Sequence, residues 1–274
     1  MNILHACACA DERANVHKRS GDGGDSVLAE LVTFLSRTEY LQWLMRLSQR
    51  HNLPTAVFCK IMHVLSLCAP SLSGKQVFVR YLAQVSQSIK NINKEAFLGE
   101  DWRCRRVVAT FHFIASLRLC PRSVDLLVAS VPSAHSIECG SGSAEVAGLG
   151  LDFWLDLIEP DHRNFASLRA AALRVLLAII ASDTRHGRSI FISSARAVPL
   201  LIRVVRQCAP PTSTLALHII WVLAHSGQKA LPAFRRVPVA EAIAAARRAA
   251  IQGERGHDEG CVDFIAEQLE MILE

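Results

Sequence analysis

A chain of 274 residues has room for one large domain, two small ones or one solenoid of several repeats. Hydrophobic residues make up 51% and aromatics only 6%, with mean hydropathy +0.24; much of the apolar total is Ala, Leu, Val and Ile, which suits helices packed closely on helices. The net charge of +5 is spread over short pairs (Lys18-Arg19, Arg105-Arg106, Arg235-Arg236, Arg247-Arg248), which argues against the concentrated basic stripe of a nucleic-acid protein.

A membrane span needs about 20 consecutive apolar residues, and the longest run here, Val175 to Ala181, falls far short. The start of the chain, Met1 to Cys7, has no charged region leading into a long apolar stretch, so no secretory signal is expected. Nine cysteines include no Cys-x-x-Cys and no Cys/His quartet of zinc spacing. Cys59, Cys68, Cys104, Cys120 and Cys208 lie in or beside apolar helical runs, where a thiol acts as a small hydrophobe. A cytoplasmic chain with reduced thiols, no metal and no cofactor is expected.

In chain order, residues 1–24 lack periodicity and end in Gly21-Asp22-Gly23-Gly24, which predicts a disordered lead-in. Residues 25–131 are expected to hold the first helical repeats. Asp25 or Ser26 caps a helix carrying Val27, Leu28, Leu31, Val32 and Leu35, and Thr38 begins a second with Leu41, Leu44, Met45 and Leu47. A third follows Pro54, carries Val57, Phe58, Ile61, Val64, Leu65 and Cys68, and is expected to stop at Ala69-Pro70. Val77 to Ile89 reads as the next, then a polar connection, then a long helix from about Asp101 to Leu119 and a short one from Val124 to Val131. Residues 132–150, rich in Pro, Ser and Gly, predict a flexible loop between two halves. Residues 151–274 form the second half, opening with helices Leu151 to Ile158 and about Asn164 to Ala181.

The last third contains a repeat. Ala172-Leu173-Arg174-Val175-Leu176-Leu177 aligns with Ala216-Leu217-His218-Ile219-Ile220-Trp221, 44 residues on. Each copy passes through a small polar turn and a short amphipathic helix, around Arg188 to Ser194 and Gln228 to Arg235. Each then reaches Val-Pro, at Val198-Pro199 and Val237-Pro238. Long, short and third helices with Pro in the opening turn of the last, at a period near 40, are the armadillo pattern. One such unit cannot bury its own apolar face, so units must stack. The expected fold is all-α, an armadillo/HEAT-like right-handed helical solenoid.

The segment Ile220-Trp221-Val222-Leu223-Ala224-His225-Ser226-Gly227-Gln228-Lys229-Ala230 resembles the closing repeat of the rotatin family, large armadillo-type proteins of centrioles and ciliary basal bodies. The family pattern carries Asn where Ser226 or Gly227 stands. The resemblance implies a non-enzymatic scaffold in centriole or basal-body assembly and ciliogenesis, binding a protein segment, a peptide or a helix, in the solenoid groove. Its matched positions are Trp221, Gln228 and Lys229. A nuclear-transport or other cytosolic adaptor is the alternative, although that family's Trp-x-x-x-Asn array would need Asn where His225 stands. A nucleic-acid-binding helical repeat would need a basic concave face.

Catalytic chemistry finds little support in the residues. Gly140-Ser141-Gly142-Ser143 lacks the Lys-Ser/Thr and the preceding strand of a phosphate-binding loop. His135 and Cys139 lie in that same Gly/Ser-rich stretch, without the electropositive, partly buried setting of a nucleophile. Asp161-His162 and His257-Asp258 read as caps, and His63, His112 and His218 as core or boundary residues. The basic side chains Arg103, Arg105 and Arg106, with Arg235, Arg236, Arg247 and Arg248, are the surface candidates for an acidic partner segment. Arg247 and Arg248 suit the C-terminal end of a helix dipole. No small-molecule substrate is expected.

Overall fold

The computed structural model describes residues 38–50, 52–72, 76–90, 102–128, 148–160, 166–182, 185–226, 231–234, 238–252 and 259–273. Among these there are helices and connections and no strand. The lead-in 1–24, the helix expected at Val27 to Leu35 and nearly all of the 132–150 loop lie outside the described residues.

The first half runs α1 (Thr38–Ser48), α2 (Thr55–Leu72), α3 (Gln76–Lys90), α4 (Trp102–Ala115) and α5 (Pro121–Val128). The second runs α6 (Leu151–Ile158), α7 (Ala166–Ala181), α8 (Arg185–Ser193), α9 (Ala197–Gln207), α10 (Thr212–Ala224), α11 (Leu231–Phe234), α12 (Val239–Gln252) and α13 (Glu259–Leu273). Proline sits in the opening turns. The Pro54 and Pro238 carbonyls accept from the amides of Phe58 (3.0 Å) and Ala242 (3.3 Å), and Pro199 is the third residue of α9, where its missing N–H leaves no helical bond unmade. Gly150 precedes α6 at φ 84°, a left-handed conformation open to glycine.

Helix α5 begins at Pro121, three residues before the expected Val124, and two helix ends also differ. Helix α2 continues two residues past Pro70, and α4 ends at Ala115 rather than near Leu119. At the end of α4 the Ser116 amide is shared between the carbonyls of His112 and Phe113, and Leu117 N–H reaches Ile114, so the last turn tightens. Leu117 and Leu119 are nonetheless buried, which is why their spacing resembled more helix.

The order of packing follows the chain. Helix α2 packs on α4, α4 on α7, α7 on α10 and α10 on α13, forming one row of long helices. Behind that row α3 packs on α5 and the short α5 on the short α8, and α6 packs on α9 and α9 on α12. The segments aligned by the repeat, at Ala172 and Ala216, therefore lie on neighbouring helices of the row. Both residues are fully buried.

One apolar cluster runs through the whole stack. Phe78, Tyr81 and Phe113 meet edge to face, with centroids 5.7 Å (Phe78–Phe113) and 6.0 Å (Tyr81–Phe113) apart, which locks α3 to α4. Trp154 of α6 contacts the Phe111 ring of α4 at 4.9 Å and donates its indole N–H to the Leu127 carbonyl of α5 at 2.7 Å. The core is thus continuous between the segments on either side of residues 129–147. Burying each Leu, Ile or Val side chain contributes roughly 1.5–3 kcal/mol, and the buried faces of α7 and α10 combine such residues (Leu173, Leu176 and Ile180; Leu217, Ile220 and Leu223 among them) with small Ala, Ser and Thr side chains.

A candidate protein-docking face

Helix α7 has α4 and α10 on its two flanks and α6 and α8 behind it. Its solvent-reaching residues, Ser167, Ala170, Arg174, Leu177, Ala178 and Ala181, fall on one stripe at about 100° per residue. Helix α10, flanked by α7 and α13 and backed by α9 and α12, exposes a corresponding stripe of Leu215, His218, Trp221 and His225. On α4 the stripe is Trp102, Arg105, Ala109 and His112, and on α2 it is Val57, Lys60, His63 and Leu67. The row of long helices is therefore one layer, covered behind and open in front. His63 and His112 are exposed on this front, contrary to their reading as core or boundary residues, whereas His218 is half-buried.

At the α2–α4 end, the Trp102 ring is 49% exposed although tryptophan is mostly buried in folded chains. The Arg106 guanidinium lies 4.4 Å from the Phe58 ring centroid and 5.6 Å from that of Trp102; Arg103 lies 5.2 Å from Trp102. Partial burial lowers the Arg106 pKa, opposed by the nearby Cys59. These stacked cations are positioned by aromatic faces. Cys59, 3.9 Å from the Arg105 carbonyl, has its pKa raised by burial, with Arg106 and Arg105 pulling the other way, so its thiol is held protonated and weakly nucleophilic.

At the α10–α13 end, the half-buried Trp221 ring meets His225 at 4.9 Å and Phe264 of α13 at 6.4 Å. His225 Nδ1 lies 3.0 Å from the Trp221 carbonyl. Phe264 is 54% and Met271 63% exposed; they lie seven residues apart on the side of α13 away from its buried Val262, Ile265, Ala266 and Leu269. Trp221, read from the sequence as a partner-binding position, thus combines core packing with a place on the open face. Arg247 bonds Glu270 at 3.0 Å and lies 3.5 Å from Asp263, so its charge is engaged by α13. Arg248 is exposed. Gln228, Lys229, Arg235 and Arg236 lie outside the described residues.

Two further polar features were not legible as such in the sequence. Glu159, at the end of α6, is buried and paired with Arg196 (3.3 Å) and Arg203 of α9, while Arg196 also reaches Asp156 at 2.8 Å. Those bonds raise the Arg196 pKa, Asp156 contributing most. A cleft of about 480 Å³ opens beside Pro160, Ala166, Arg169, Cys208, Pro210 and Thr212. Arg169 donates to the Glu159 and Pro160 carbonyls at 3.2 and 3.4 Å, satisfying acceptors at the C-terminal end of α6. Burial raises the Cys208 pKa against the opposing pull of Arg169, so this thiol too is held protonated.

Cys59, Cys68, Cys104, Cys120 and Cys208 are free thiols. Among the described residues no cluster of His, Cys, Asp and Glu could hold a metal ion, and no helix is long and apolar enough to cross a membrane. No protein-family model, curated protein or solved structure matches this chain.

Proposed function

We propose that this protein is a non-enzymatic binding scaffold of armadillo type, which receives a peptide or helix of a partner protein on the open front of its long-helix row. The observation that carries the reading is the pairing of like helices from one unit to the next. Helix α7 lies on α10 and α9 on α12, with the short α5 on α8, which is how repeated three-helix units stack. Stacking of this kind leaves a long surface built from one helix per unit. Here that surface carries Trp102, Trp221 and Phe264, side chains of the type that anchors partner proteins.

The resemblance around Ile220 to Ala230 supports a narrower reading, a scaffold at the centriole or basal body acting in ciliogenesis. A nuclear-import adaptor fits less well, since His225 occupies the position where that class presents Asn, and its ring is turned back toward the Trp221 carbonyl. Proximity labelling with the full chain in ciliated cells tests both levels. Enrichment of centriolar or basal-body neighbours is the expected result. A labelled set drawn from nuclear-transport cargo would contradict the narrower reading, and a set no different from that of a freely diffusing control would contradict the scaffold reading itself.

A further inference from the structure

The front of the row has an uneven distribution of charge. Helices α2, α4, α7 and α10 contain no Asp or Glu. Their cations include Lys60, Arg105, Arg106 and Arg174, and none of these four pairs with a carboxylate among the described residues. The salt bridges among the described residues lie elsewhere, behind the row and at α12–α13. The last helix of the row is opposite in character: α13 exposes Asp263, Glu267 and Glu270. Apolar side chains alternate with the cations on the front, with Val57 and Leu67 around Lys60, Trp102 beside Arg105 and Leu177 beside Arg174.

We infer that the occupant of this face is an acidic protein segment with bulky apolar side chains, its carboxylates meeting Lys60, Arg105, Arg106 and Arg174 between α2 and α7. The inference rests on the scaffold reading and specifies its partner. Charge complementarity selects the partner's sign: the carboxylate-free α2–α7 end receives a negative chain, whereas α13, whose Asp263 and Glu270 are held by Arg247 and whose Glu267 is exposed, offers it no free cation among the described residues. A nucleic acid fits less well. Its affinity comes from a dense set of phosphate contacts, whereas here about one or two cations per helix are separated by apolar side chains that suit alternating acidic and apolar residues. From α2 to α10 the row crosses three helix-to-helix spacings of about 8–10 Å, roughly 30 Å. An extended peptide covers that distance in about nine residues at ~3.3 Å each.

The test is fluorescence anisotropy with the full chain and a labelled synthetic peptide of about a dozen residues built from Glu-Glu-Phe-Leu blocks. Its Gln-for-Glu counterpart and an oligouridylate are measured in parallel. The acidic peptide is expected to bind, to weaken as salt is raised, and to lose about tenfold in affinity with Arg105→Glu/Arg106→Glu. Arg174→Glu, at an exposed site with no ion pair among the described residues, should weaken it also, while Arg80→Glu on α3 should leave it unchanged. Circular dichroism of each variant separates a lost site from a lost fold. Equal binding of the Gln counterpart, indifference to Arg174→Glu, no binding of the acidic peptide, or tighter binding of oligouridylate would each overturn the inference. The scaffold reading is judged separately by the proximity-labelling result, so the two failures are distinguishable.

Discussion

The indole of Trp154 has no exposure to solvent, yet its N–H is satisfied by the Leu127 carbonyl across the gap between α5 and α6. Trp154→Phe keeps most of the apolar volume and removes only the donor, leaving a buried acceptor unpaired. A loss of about 1–3 kcal/mol in urea-unfolding free energy is expected, and Trp154→Ala should cost about 3–5 kcal/mol. A neutral Trp154→Phe would contradict the bond. Tyr81 gives a pH signature. Burial pushes its phenol up to about 12, despite a 2.8 Å hydrogen bond with Ser48 Oγ that favours the phenolate. A raised pKa means the folded state holds its proton longer than the unfolded chain. The stabilisation is therefore complete below about pH 10 and is lost as pH rises through about 12. Thermal unfolding of the native chain should decline across that window by on the order of 2 kcal/mol more than that of Tyr81→Phe. Parallel curves for the two would exclude the role.

Between elements, the tightest constraint is at Gly187 of α8. A Cβ there would lie 3.0 Å from both Cγ2 and the carbonyl oxygen of Ile179 in α7. Gly187→Ala gains up to about 1 kcal/mol of helix propensity, but the backbone oxygen must move, and overpacking costs about 1–3 kcal/mol. Net destabilisation is expected, and a raised melting temperature would contradict the close approach of α8 to α7. The Glu159 cluster tests the link from α6 to α9. Glu159→Gln should lower stability by about 1.5–3 kcal/mol, the range for hydrogen bonds to charged groups, and the effect should fall when Arg203→Met is already present. Additive losses would contradict the pairing. This cluster also illustrates what the sequence conceals. Glu159 and Arg203 are 44 residues apart, the same offset as Ala172 and Ala216. The repeat was legible from apolar residues, because periodic Leu, Ile and Ala fix a helix face locally. The ion pair was not, because it joins two third helices whose proximity exists only once the units are stacked. Proline was similarly informative at Pro54, Pro199 and Pro238, in opening turns, and misleading at Pro70, which α2 passes before ending at Leu72. The open face was legible only in part: Trp221 and the Arg103–Arg106 group stood out by type. Phe264 and Met271 did not, because apolar residues on an amphipathic helix look like core until the packing direction of α13 is known.

At the scale of the molecule, the central claim is that each long helix shelters the next, so that stability is shared along the row. Stacks of this kind behave as nearly one-dimensional systems, in which interior units have two neighbours and terminal units one. Helices α7 and α10 have partners in the row on both sides and others behind. Helix α13 has α10 and α12, and α1 has α2. Amide hydrogen exchange of the native chain, followed by peptide mass spectrometry, reads this order directly. Protection is predicted to be greatest in α7 and α10, lower in α4, and least in α1 and α13. Equal protection throughout, or α13 outlasting α7, would contradict the stacked row and with it the open face on which the proposed binding depends.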